Sequence, residues 1–123
     1  MESFIKRSLQ NKAWLFAAVV FAMGAQQAGN RAALMNPSTL TERAPDAFTA
    51  SFETSAGSFV IEVHRDWGPN GADRFYNLVK SGFYDGNRFY RVTPLMAVWG
   101  LHGDPEVAKA WLSARIQIGR AHV

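Results

Sequence analysis

The sequence predicts a mostly β fold with helices: about four strands, one capping amphipathic helix and a short C-terminal helix. Three stretches carry that expectation. Residues 47–64 alternate apolar and polar on both sides of a glycine, which is the period of a strand. Residues 69–82 repeat apolar side chains at the spacing of one helix face. Residues 88–100 form the densest aromatic and apolar run outside the N-terminus, split by Thr93-Pro94. At 123 residues the chain holds one domain at most, and its 48% hydrophobic content is that of a globular protein rather than a disordered one.

Taken in order, residues 1–25 read as a secretory signal peptide. Lys6, Arg7 and Lys12 supply a positive start, residues 13–23 are uncharged and apolar, and Ala22-Met23-Gly24 ends in small residues. A membrane span needs about 20 apolar residues, so this run is short for a permanent anchor, although an uncleaved anchor stays open. The expectation is an exported protein, periplasmic or secreted, that meets a membrane only through this segment. Residues 26–46 read as a linker, rich in turn residues such as Asn36-Pro37-Ser38 and Ala44-Pro45-Asp46.

From Ala47 the pattern changes. Phe48, Ala50 and Phe52 alternate with Thr49, Ser51 and Glu53, and Phe59, Ile61 and Val63 alternate with Val60, Glu62 and His64. Thr54-Ser55-Ala56-Gly57 is the turn between them, with Gly57 free to take a positive φ. Pro69 suits a first helical position, and Ala72, Phe75, Tyr76 and Val79 make the buried face of the helix that follows. Asp73, Arg74 and Lys80 fall on the wet side, and Gly82 stands where a left-handed cap would end the helix. Phe83 to Asn87 turn the chain back. Asp104-Pro105-Glu106 starts a short helix with Val107, Ala110, Trp111 and Ala114 on its apolar side.

Composition excludes several chemistries. There is no cysteine, so disulfides, thiol catalysis and zinc–thiolate sites are out. The net charge of +3 is concentrated at the N-terminus: without Lys6, Arg7, Lys12 and Glu2, the 13 basic and 10 acidic residues become 10 and 9. The remaining basic residues form no run, so nucleic acid is not an expected partner. His64, His102 and His122 share no ligand spacing, and no metal and no cofactor is expected.

The run at 88–100 is the candidate site. It reads as two short strands joined by a tight turn, because proline fixes its own φ and holds the preceding residue extended. It carries Arg88 and Arg91, and Arg91 lies on a surface otherwise made of rings and a thioether. Taken alone, an arginine in a half-buried strand is more often solvated or salt-bridged than functional.

The order of parts adds to this. Phe59-Val60-Ile61-Glu62-Val63, then Asn70-Gly71-Ala72-Asp73-Arg74-Phe75-Tyr76-Asn77-Leu78-Val79, Gly82-Phe83-Tyr84-Asp85 and Arg88-Phe89-Tyr90-Arg91-Val92 closely resemble the opening of bacterial cyclophilin-type peptidyl-prolyl cis-trans isomerases. The resemblance covers about residues 47–116 and implies the N-terminal half of an eight-stranded antiparallel β-barrel, in a C-terminally truncated chain. It implies rotation about X–Pro bonds in proline-containing peptides or unfolded proteins, without a cofactor. By resemblance, Arg91 is the catalytic arginine and Met96 lines the proline pocket. Leu95 stands where the family usually has a pocket phenylalanine, and Val98 where a glutamine binds substrate backbone. The family's usual glycine between the residues matching Pro94 and Leu95 is missing, and Trp99 is bulkier than usual.

Residues 117–123 have no counterpart in that family. Their sequence, Gln-Ile-Gly-Arg-Ala-His-Val, is what the codons CAG ATC GGA AGA GCA CAC GTC of a common short-read sequencing adaptor encode, and the adaptor continues with the stop TGA. The tail is therefore expected to derive from adaptor sequence. Two functions remain open on the sequence: an exported prolyl isomerase, impaired as a fragment, and a non-catalytic cyclophilin-like module that binds proline-containing segments. Arg91 favours the first and Val98 the second.

Overall fold

The computed structural model describes the backbone of residues 6–10 and 25–117 and the side chains of residues 30–117. The apolar segment of the expected export signal, residues 13–23, and residues 118–123 of the tail lie outside the described residues. Five strands and three α-helices follow in the order β1 (Lys6–Gln10), α1 (Ala25–Leu34), β2 (Ala47–Thr54), β3 (Gly57–His64), α2 (Pro69–Ser81), β4 (Arg91–Val92), β5 (Ala97–Val98) and α3 (Pro105–Leu112). No described helix is long and apolar enough to cross a membrane.

β2 and β3 form the expected hairpin. Phe48 faces Val63, Ala50 faces Ile61, and Phe52 faces Phe59, so each alternating apolar set meets its partner across the ladder. Gly57 takes φ 121, and the Thr54 hydroxyl donates to the Gly57 carbonyl at 2.7 Å, closing the turn. β1 pairs antiparallel with the other edge of β2, giving a three-stranded sheet in the order β1-β2-β3. Lys6 and Arg7, read from sequence as the basic start of an export signal, thus sit in a strand. A bare edge of β2 offers backbone N–H and C=O groups to any extended segment, whatever its side chains.

α2 forms where the spacing places it, with Pro69 in the first turn and Gly82 at φ 87 as its left-handed cap. The Phe83 amide donates back to the Leu78 carbonyl at 3.0 Å, satisfying a carbonyl that the helix end leaves open. Ala72 and Val79 are buried and Phe75 and Tyr76 are half-buried, as expected, but Asn77 and Leu78 are buried as well. Asp73 is not simply on the wet side. It accepts from Arg65 at 2.8 and 2.9 Å and from the Ala44 amide at 2.9 Å.

The reading of 26–46 as a linker is corrected. Ala, Gln, Arg and Leu favour helix, and α1 occupies its first part, with Leu34 buried against Leu78, Phe83 and Val107. The Trp111 indole N–H donates to the Leu34 carbonyl at 2.8 Å. The rest is tied to α2 by the Asn77 amide, which donates to the Glu42 carbonyl at 2.7 Å and accepts from the Glu42 amide at 3.1 Å. Periodicity could not reveal this, because the partners lie more than 30 residues away.

The described residues form a mixed α and β structure of helices and short antiparallel strands, the strands in a three-stranded sheet and a separate two-stranded one. Three buried clusters hold the described residues together. One joins Ala50, Phe52 and Val79 with Phe59, Phe75, Tyr84, Phe89 and Trp99 packed around them. A second joins α1, α2 and α3 through Leu34, Leu78, Phe83 and Val107. A third joins Ala44, Phe48 and Ala72, with Val63, Phe75 and Tyr76 against them. α3 starts as expected, with the Asp104 carboxylate accepting from the Glu106 amide at 2.9 Å.

Candidate active site

Residues 88–100 fold as a hairpin whose ends are anchored and whose tip is in solvent. At the base, Trp99 packs edge-on against Phe52 at 5.0 Å and Tyr84 at 5.3 Å, with Phe59 and Phe89 close by. Such arrangements of ring edge against ring face suit the aromatic quadrupole. Trp99, bulky by comparison with the family pattern, is thus the anchor that fixes the hairpin to the sheet. Burial pushes the Tyr84 hydroxyl up to about 12, so this ring stays neutral beneath the site.

The strand portions are shorter than the sequence suggests, with two residues each. Arg91 pairs with Val98 and Val92 with Ala97, and the Tyr90 amide donates to the Val98 carbonyl at 3.1 Å. Directly opposed residues share a face, so Arg91 and Val98 stand together on one side of the ladder. The turn between them is closed by the Thr93 amide, which donates to the Met96 carbonyl at 2.8 Å. The Thr93 hydroxyl oxygen accepts from the Met96 amide at 3.1 Å and the Leu95 amide at 3.3 Å, a side-chain-capped turn that proline at the next position pre-sets.

Arg91 is exposed, and its guanidinium makes no ion pair or hydrogen bond with any other described residue. Its fixed donors are therefore free for a ligand. Leu95 is 93% exposed and Met96 53% exposed, while Val98 is half-buried. The hairpin brings Arg91 beside Val98 and puts Leu95 and Met96 at its turn. Leu95 and Met96 there stand out in solvent. Beside the base lies a depression of about 530 Å³ lined by Asn87, Arg88, Tyr90, Leu101 and His102 among others. No group of three or more His, Asp or Glu residues able to hold a metal occurs among the described residues.

Sequence reasoning passed over one residue of this region, Asn87, which it read only as part of a turn. Asn87 is 2% exposed, and its amide links the start of the hairpin to its end. The sequence offered only an asparagine directly after an Asp-Gly pair; its burial is not visible there.

Residues 49–118 match the family described as cyclophilin type peptidyl-prolyl cis-trans isomerase/CLD. Among curated relatives, the peptidyl-prolyl cis-trans isomerase ppi1 of Schizosaccharomyces pombe is 42% identical over 53 residues, covering 43% of this chain and 33% of that protein. The peptidyl-prolyl cis-trans isomerase-like 1 of Rhizopus delemar is 42% identical and that of Gibberella zeae 38%, each over 53 residues or 43% of this chain, covering 31% and 32% of those proteins. The chain thus spans about a third of the length of the curated relatives it matches, and these relatives are fungal rather than bacterial. No solved structure matches it. With more than half of its residues inside the family match, the chain belongs to the cyclophilin-type peptidyl-prolyl cis-trans isomerase family.

Proposed function

We propose that this chain carries the arginine-bearing part of a prolyl isomerase site, with Arg91 as the catalytic group and proline-containing peptides or unfolded proteins as substrates. An X–Pro bond rotates slowly because amide resonance must be lost. In the twisted state the proline nitrogen becomes pyramidal and gains a lone pair. A guanidinium that donates to that nitrogen stabilises the twisted state over both planar ones, which is what lowers the barrier. The observation that carries this reading is the exposed Arg91 guanidinium, without a counter-ion among the described residues, on a hairpin rooted in an aromatic core.

A proline pocket needs an apolar wall on the far side of the ring. Leu95 and Met96, proposed as part of that wall, stand in solvent, so we propose that this chain alone works well below a complete family member. The test is catalysed isomerisation of a proline-containing tetrapeptide by the full chain and by Arg91→Ala. The expected result is a weak acceleration that the variant loses. Equal rates for both would sink the catalytic reading.

Val98 favours a second reading, a non-catalytic module that binds proline-containing segments. Its side chain cannot hydrogen-bond substrate backbone as the family's glutamine does by resemblance. Peptide-induced NMR shifts at 91–98 without rate acceleration would select this second reading. Export is also proposed, supported by the basic residues Lys6, Arg7 and Lys12 ahead of an uncharged apolar segment.

A further inference from the structure

We infer that Asn87 is a positioning residue for the Arg91 hairpin: its buried carboxamide ties the two ends of the hairpin together and so sets where the guanidinium stands. The inference rests on the proposed role of Arg91. The Asn87 side chain is 2% exposed, and both ends of its amide are used. Its carbonyl oxygen accepts from the Gly100 amide at 2.8 Å, and its Nδ2 donates to the Leu101 carbonyl at 2.8 Å. These two bonds span 13 and 14 residues and close a loop that contains Arg91, Leu95, Met96 and Val98.

The geometry around the amide is built for it. Gly100 takes φ 109, a conformation that other residues resist. The Asn87 backbone N–H donates to the Tyr84 carbonyl at 3.2 Å, so the clamp is continuous with the turn that leaves α2. β4 and β5 hold only two residues each, so their own ladder is too short to fix the hairpin's direction. Trp99 and Phe89 bury the base, but ring packing tolerates sliding, whereas two hydrogen bonds from one planar amide admit a single register.

Leucine has the same branched outline as asparagine and no hydrogen bonds. It separates clamping from space-filling. Substitution leaves the part-buried Gly100 N–H and Leu101 carbonyl without their side-chain partner, a cost that falls on the hairpin. The experiment compares the full chain with Asn87→Leu and Asn87→Ala by amide hydrogen exchange, together with turnover of a proline-containing tetrapeptide. The expected result is exchange about tenfold faster or more at the Tyr90 and Thr93 amides in both variants, with the β2–β3 ladder unchanged. Where the parent chain turns over peptide, kcat falls more than KM rises, because a displaced Arg91 is missed mainly in the transition state.

Asn87→Leu exchanging like the parent would overturn the inference, since filling the space would then suffice. Exchange rising equally through β2–β3 would overturn it too, since Asn87 would then be a general stability residue. If the parent chain neither turns over nor binds the peptide, the proposed role of Arg91 fails, and the exchange pattern still decides whether Asn87 holds the hairpin.

Discussion

At the scale of single residues, polar side chains with two partners decide more of this structure than the arginine that drew attention to it. Asp73 is the clearest case. It sits on α2, takes a two-pronged bond from Arg65 and accepts from the Ala44 amide, joining three segments at one carboxylate. The hydrogen bond from Arg65 holds its carboxyl below the usual carboxylate range, with burial opposing the shift and the Ala44 amide reinforcing it. A carboxyl depressed in the folded state stabilises the fold above its unfolded value, near 4, and that contribution is lost as pH falls through the folded value. The chain is therefore expected to lose stability from about pH 5 downward, and Asp73→Asn to be less stable at pH 7 and flatter in that window. Urea midpoints measured from pH 7 to pH 3 check this. A parent and variant with parallel pH curves would remove Asp73 from the account. The pair is partly exposed, with side chains 20% and 26% accessible, so the effect is expected to be screened by salt.

At the scale of elements, what was legible in sequence was local. The β2–β3 hairpin, α2 and α3 all announce themselves by a period and a turn residue within a dozen positions, and all three form, although α3 ends at Leu112, short of the Ala114 expected on its apolar side. α1 was hidden because Leu34, its buried residue among those whose side chains are described, is covered by residues from α2, the turn after it and α3. The Arg91 hairpin was legible as two strands and a turn, yet its lengths and the clamp at Asn87 were not, since both depend on contacts 13 or more residues apart. Gly82 offers a test of the local part. It stands at φ 87 at the end of α2, and the Leu78 carbonyl accepts from the chain just beyond it. An L-residue in that conformation costs about 1–2 kcal/mol. Gly82→Ala is thus expected to lower unfolding free energy by about that amount in urea titration, with the m-value unchanged. An unchanged midpoint would mean that the cap relaxes without cost and that the helix end is set by packing of Phe83.

At the scale of the whole molecule, two features pull in opposite directions. The three-stranded sheet has the order β1-β2-β3, so β1 shields one edge of the β2–β3 hairpin and the other edge of β3 pairs with no described strand. On β3 itself Val60 is 61% exposed, and elsewhere on the surface Val92 is 70%, Leu95 93% and Leu101 62% exposed. Exposed apolar side chains beside an open strand edge favour contact between copies. Export with cleavage near residue 25, as proposed from the N-terminal sequence, would remove β1 and bare the second edge at β2 as well. The mature chain is therefore expected to associate more readily than the intact one. Sedimentation velocity on residues 1–123 and 26–123 over a range of concentrations measures this directly. Stronger association of the shorter chain, relieved by lysine in place of Val60, would tie association to the sheet. If both lengths sediment alike as monomers, the β1 pairing protects nothing. If only the intact chain associates, the N-terminal segment is itself the sticky part and the sheet edges are sufficiently covered by their own side chains.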